Sequence, residues 1–191
     1  MSNATTSVLA RARPGDAVAA AFTALTWIAA YRLNTWAFAP AQASDFVSLV
    51  FLPAGVRILA VLIFGWPAAV GLFAGSLVTA APIWHFPAAV VPGLISALGP
   101  VIAVYVGTRS MHLRDDLQGT TLRQMTLISI ADGLCNAVPS NIFFWLQHRI
   151  ATPYQDDLQM FVGDLLGTFI LLYAAAVLMR LALKLRRALS S

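Results

Sequence analysis

Arg57 stands in the middle of an uninterrupted apolar stretch, residues 47–65 (VSLVFLPAGVRILAVLIFG), and two later apolar stretches carry Asp132 and Asp164. Ionisable groups inside a bilayer are costly unless paired or hydrated, so residues of this kind mark structural or functional contacts. The most direct chemistry open to them is an Arg–carboxylate pair, in which the guanidinium fork and the two carboxylate oxygens match. Such a pair would lock the second, fifth and sixth apolar segments together. The same three residues could instead form a ligand-binding or proton-responsive cluster. Asn136, Ser140, Asn141 and Thr168 lie close by in sequence and could line a polar pocket. Asp132, Asn136 and Ser140 follow one another at intervals of four, which places them on one helix face. That face is expected to point inward, towards Arg57.

Helical rise sets approximate depths. Arg57 lies about ten residues, or ~15 Å, from the outer end of its segment, and Asp164 lies ~9 Å from the outer end of the last one. Asp132 falls near mid-depth. Arg57 is long enough to reach either carboxylate, and the sequence leaves the choice between Asp132 and Asp164 open. Intramembrane aspartyl proteases also carry an aspartate in each of two adjacent helices, one of them within Gly-Asp, as in Gly163-Asp164 here. The depths separate the two carboxylates by several ångströms, whereas a catalytic pair nearly touches in order to share a proton. The motif that surrounds the protease aspartates is also missing. Other catalytic chemistry is sparse. The chain has no glutamate, and His85, His112 and His148 fall in connecting segments, away from haem- or metal-ligand positions. No phosphate-cradling glycine loop and no nucleophile elbow occur. The expectation is a protein without enzymatic activity, metal or cofactor.

These residues must be held by membrane-spanning helices. Hydrophobic residues make up 59% of the chain and charged ones 10%, against ~25% charged in soluble domains; the mean hydropathy is +0.77. The apolar runs are continuous and lack the in-and-out alternation of barrel strands. Six spans are expected, over 17–34, 47–65, 67–83, 87–106, 124–145 and 158–178, in an all-α polytopic bundle with short loops. The whole chain, 1–191, is then one transmembrane domain, with an N-terminal segment 1–16 and a basic tail 179–191. The single cysteine, Cys135, lies within a span, so neither a disulfide within the chain nor a cysteine-based metal cluster forms.

The isoelectric point of 9.8 comes from the placement of Lys and Arg in loops, as membrane insertion demands, and not from nucleic-acid binding. With both ends in the cytoplasm, Arg11, Arg13, Arg109, Arg114, Arg123, Arg180, Lys184, Arg186 and Arg187 lie inside, and only Arg32 and Arg149 lie outside. Nine against two matches the positive-inside rule for a multi-pass protein of a bacterial-type cytoplasmic (inner) membrane. The basic fourth loop and tail suit contact with anionic lipid head groups, or docking of a cytoplasmic or membrane signalling partner. Oligomeric state is not legible. Ala41-Gln42-Ala43 has the look of a signal-peptidase site, but its distance from the preceding apolar core is too long, and the first span is expected to be retained.

Proline and glycine punctuate the spans. Pro53-Ala54-Gly55 is expected to break the second span just before Arg57, and Pro139 to do the same in the fifth. Irregular backbone at that depth has to face protein or a water-filled cavity. Gly71–Gly75 and Gly163–Gly167 have the spacing of small residues that admit a close neighbour.

Three groups of residues, taken in order, carry a resemblance. Phe51-Leu52-Pro53-Ala54-Gly55, then Leu62-Ile63-Phe64-Gly65-Trp66-Pro67, then Gly71-Leu72-Phe73-Ala74-Gly75 resemble the membrane-associated sensor domain of the first type, the MASE family. The late Gly163-Asp164-Leu165-Leu166-Gly167 matches that family's G-D-x-x-G helix, so the similarity covers most of 47–178. Phe51-Leu52 departs from the family's Trp-Pro. The resemblance implies an integral-membrane input module of the kind usually fused to kinase or cyclase output domains. Because no output domain follows Ser191, it also implies a stand-alone sensor that works through a partner. A small transporter or permease subunit, and a structural subunit or assembly factor, are the alternatives from other functional classes.

Overall fold

The computed structural model describes residues 14–41, 48–112, 121–152, 154 and 156–189, and they form an all-helical bundle. The helices are α1 (Pro14–Ala37), α2 (Pro53–Phe64), α3 (Trp66–Ala80), α4 (Val90–Ser110), α5 (Leu122–Leu146) and α6 (Asp157–Leu189), with one 3-10 turn, Ala39–Ala41, after α1. Arg11, Arg13, Gln42, Ala43, Val47, Arg114 and Ser191 lie outside the described residues.

The bundle is turned inside out relative to a soluble protein. Thr23, Asn34, Ser76, Thr79, Ser96, Ser129, Asn136, Ser140, Asn141 and Thr168 are buried together with the three charged residues. Meanwhile Phe22, Leu25, Trp36, Ile63, Val78, Ile102, Leu134, Ile142, Ile170 and Leu178 face outward. Large apolar side chains on the outside are at home in hydrocarbon, and polar ones need protein partners there. Helices α4, α5 and α6 are long and apolar enough to cross a membrane, while α2 and α3 are shorter apolar helices. A membrane protein follows from this pattern.

Local chemistry accounts for the helix ends. Thr121 and Gln124 form a capping box at the start of α5: Thr121 Oγ1 accepts from the Gln124 backbone N–H, and the Thr121 N–H donates to Gln124 Oε1. This satisfies two N–H groups that the first turn would otherwise leave unpaired. A single residue, Gly65, separates α2 from α3, with φ of 64°. Glycine adopts this left-handed conformation without a steric penalty, so the chain reverses within one residue.

Contacts give the helix directions. Phe22 packs on Phe64 while Leu52 meets Asn34, so α1 and α2 are antiparallel. Gly71 lies on Ala20 and Thr23, and Gly75 on Ala24 and Trp27, so α1 and α3 are parallel. Gly99 faces Cys135 and Gly107 faces Ile128, which makes α4 and α5 antiparallel. Asn136 meets Asp164 and Asn141 meets Met160, which makes α5 and α6 antiparallel.

Helix α2 does not fill the second span; it starts at Pro53 and has 12 residues. Pro53 begins the helix and does not break one, because at the first helical turn its missing N–H would be unpaired anyway. At ~1.5 Å per residue α2 is ~18 Å long, short of a hydrocarbon core of ~30 Å. Residues 48–52 continue the path without helix, and several of their polar groups are paired with protein. Phe51 N–H donates to the Gly163 carbonyl at 3.0 Å, Leu52 N–H to Asn34 Oδ1 at 2.8 Å, and Ser48 Oγ to the Val50 carbonyl at 2.6 Å. Pro139 likewise fails to break its span: α5 is continuous from Leu122 to Leu146 with Pro139 inside.

Candidate functional site: a buried arginine under a polar cavity

Helices α2, α5 and α6 meet around Arg57. Glycines set the distance at which they do so. A Cβ on Gly55 would come within 2.8 Å of the Leu171 side chain and 3.2 Å of Thr168 Cα, so α2 lies directly against α6. A Cβ on Gly133 would reach within 2.9 Å of the Phe161 ring, so α5 lies equally close. Gly163 and Gly167 were expected to admit a helix; what they admit is the non-helical segment before α2, whose Ser48 and Phe51 carbonyls occupy the space a methyl group would need.

At that junction Arg57 Nη2 donates to Asp164 Oδ2 at 2.7 Å and to Asp132 Oδ2 at 3.2 Å, and Nε donates to Asp132 Oδ2 at 3.3 Å. Asn136 Nδ2 adds a hydrogen bond to Asp164 Oδ2 at 2.8 Å. Arg57, Asp132 and Asp164 are all at most 2% exposed. The structure thus joins four of the five residues singled out from sequence into one network. The choice between Asp132 and Asp164 dissolves, because Arg57 holds both. The separate depths expected for the two carboxylates are corrected as well. Counting the two aspartates along separate spans left out how α5 packs on α6: a Cβ on Gly133, the residue after Asp132, would stand 3.9 Å from Asp164 Cβ. Both Oδ2 atoms converge on the guanidinium.

The fifth residue, Ser140, lies one helical turn beyond Asn136 and lines a cavity of about 120 Å³. Arg57 and Asn136 form part of the same wall, with Ser76, Thr79 and Ser96 supplying hydroxyl groups and Trp27, Phe51, Trp84 and Phe144 supplying aromatic surface. Asp132 and Asp164 stand behind Arg57 and are not part of the lining. Trp27 Nε1 donates to Thr79 Oγ1 at 3.1 Å, and Ser76 Oγ donates to Ser96 Oγ at 3.2 Å, which fixes the α1, α3 and α4 walls to one another. Trp84 stacks on Phe144 at 5.9 Å between ring centroids, with the Arg149 guanidinium 5.1 Å from the centre of the Trp84 ring. Donor groups of the lining that take no hydrogen-bond partner among the described residues include Arg57 Nη1, Ser140 Oγ and the Tyr31 hydroxyl.

Sequence reasoning found the charged residues and the Asp132–Asn136–Ser140 face but missed the opposite walls. Ser76, Thr79 and Ser96 carried a weak signal as hydroxyls in apolar spans. Trp27, Trp84 and Phe144 carried none, since an aromatic residue in an apolar run serves a lipid-facing surface or a core equally well. Asn141 takes another direction, donating to the Ala137 carbonyl at 3.0 Å and lying 3.7 Å from the Met160 sulfur. Compared with known protein families, curated proteins and solved structures, the chain gives no significant match.

Proposed function

We propose that this chain is a non-enzymatic sensory or ligand-binding module of a bacterial-type inner membrane, with six spans and both ends in the cytoplasm. The observation that carries the reading is the cavity above Arg57. It combines an aromatic wall, hydroxyl groups and an arginine with spare N–H donors, and small-molecule sites are built from such mixtures. Its lining comes from the C-terminal halves of α1, α3 and α5 and the N-terminal parts of α4 and α6. With the termini inside, that end of the bundle faces away from the cytoplasm. A volume near 120 Å³ compares with the ~150 Å³ of an engineered cavity that binds benzene. The guest is therefore about the size of one ring and carries an oxygen acceptor for Arg57. A signalling partner in the membrane or cytoplasm would read the occupied state, in keeping with the resemblance to MASE sensor domains.

Cysteine scanning of α5 with a membrane-impermeant thiol reagent, in a Cys135→Ala background, tests the cavity. Positions 136 and 140 are expected to label from outside, position 137 to stay unlabelled because Ala137 is buried, and position 138 to stay unlabelled because Val138 faces the hydrocarbon. No labelling at 136 or 140 would mean a sealed interior and reduce the cluster to a structural bridge. A permease subunit is the second reading, favoured by the non-helical segment 48–52 beside a polar cavity, a combination that transporters use at substrate sites. Uptake of a guest into proteoliposomes, as opposed to binding alone, would select it.

A further inference from the structure

The charge of the buried cluster does not balance. Arg57 brings one positive charge and Asp132 and Asp164 bring two negative ones, with both carboxylates within hydrogen-bonding distance of the guanidinium and all three residues at most 2% exposed. Among the described residues no other charged side chain forms an ion pair with them, the buried Asp156 ahead of α6 included. Helix α2 carries only Arg57, and α3 has no titratable residue. On α1, Tyr31 lines the cavity while Asp16 and Arg32 are exposed or half-buried near the helix ends. On α4, Tyr105 and Arg109 sit in the last two turns. On α5, Cys135 turns towards Gly99 of α4, and Arg123 is in the first turn. On α6, Asp157 opens the helix, and Tyr173, Arg180, Lys184 and Arg186 lie more than two turns beyond Asp164.

A lone surplus charge in such a place is strongly unfavourable, and a buried group neutralises rather than remain unpaired. Two buried oxygens mark where neutralisation can occur: Oδ1 of Asp132 and Oδ1 of Asp164 have no hydrogen-bond partner among the described residues. We propose that this cluster is a proton-binding site, with one proton held on Asp132 Oδ1 and Asp164 ionised. The hydrogen bonds distinguish the two carboxyls. Asp164 Oδ2 receives two short bonds, from Arg57 Nη2 at 2.7 Å and Asn136 Nδ2 at 2.8 Å. Asp132 Oδ2 receives only the longer contacts from Nη2 and Nε, at 3.2 and 3.3 Å. Short bonds from charged and amide donors favour the ionised form, so the proton belongs to the carboxyl that lacks them. Arg57, the hydrogen-bonding partner of Asp132, and Asn136, a partner of Asp164, both also line the cavity, so Arg57 connects the protonated group to that space. The assignment holds whether or not a guest fills the cavity.

Infrared spectroscopy and thermal denaturation of the purified full chain in nanodiscs, at neutral pH, test the proposal together. The wild type is expected to show the carbonyl-stretch band of a protonated carboxylic acid, shifted in heavy water. Asp132→Asn should remove that band and keep the melting temperature within a few degrees, because asparagine is the neutral isostere of the protonated acid. Asp164→Asn should lower the melting temperature sharply. A wild type without the band, or a band that survives Asp132→Asn, would overturn the assignment. So would a large loss of stability in Asp132→Asn, whatever becomes of the other variant. If the band is absent and the protein is stabilised by sodium chloride but not by choline chloride, the site holds a metal cation and the proton is excluded.

Discussion

Arg57 is the residue whose removal should be felt most. Truncating one member of a buried ion pair leaves the other uncompensated, at a typical cost of about 3–5 kcal/mol. Arg57→Leu leaves Asp132 and Asp164 facing each other without their shared cation, and Asp164→Leu strips the guanidinium of its shortest bond. Each is expected to lower the melting temperature in detergent sharply. The double variant Arg57→Leu/Asp164→Leu should recover much of the loss, because the remaining carboxyl, Asp132, can stay neutral. Strictly additive losses would mean that the two residues do not act as a pair. That these residues belong together was legible in the sequence, since charges in apolar runs must find one another. That one guanidinium serves both carboxylates was not. It depends on how α5 packs on α6, which the separate apolar runs do not record.

At the scale of elements, the segment 48–52 and the glycines of α6 form one device. A non-helical segment in the bundle exposes backbone groups that only close neighbours can satisfy, and Gly163 and Gly167 allow α6 to come that close. Gly167→Ala would drive a methyl group into the Phe51 carbonyl, and Gly163→Ala one into the Ser48 carbonyl. Both obstacles are backbone, which yields less readily than a side chain. Overpacking a tight interface typically costs about 1–3 kcal/mol, and these two variants should fall at the upper end in thermal denaturation. Gly99→Ala provides the contrast, because its methyl would meet Cys135 atoms at 3.5–3.6 Å, ordinary contact distance. It should change stability by no more than about 0.5 kcal/mol. The spacing of Gly163 and Gly167 announced a close approach in the sequence but not its partner, because helical and non-helical backbone need the same missing side chain.

Across the whole molecule, the direction of the bundle decides which compartment the cavity addresses. The alternating helix contacts put the N-terminus of α1, the C-terminal end of α4 with Arg109, the start of α5 with Arg123, and the basic end of α6 at one pole. The cavity, Trp84 and Arg149 lie towards the other. Lys and Arg are retained on the cytoplasmic side during insertion, and that bias sets orientation. A reporter fused after Ser191 should therefore be active in the cytoplasm, and a tag inserted in the loop 151–156 should be reached by antibody from outside. The short helices α2 and α3 make this more than a formality. Were they to dip into the bilayer and return on the same side, the remaining four helices would still leave both ends together. The tags at 151–156 and after Ser191 would then report the same sides as six spans do. A third tag in the Gly65 turn separates the two arrangements. With six spans that turn is cytoplasmic, as the exposure of Trp66 beside it suits. A hairpin entering from outside would hold the turn within the membrane, closed to reagents on both faces. Labelling of Gly65→Cys, in the Cys135→Ala background, only after the inner face is opened is the outcome expected for six spans. Protection from both sides would make α2 and α3 a re-entrant hairpin among four spans, with Arg57 still held at the level of Asp132 and Asp164.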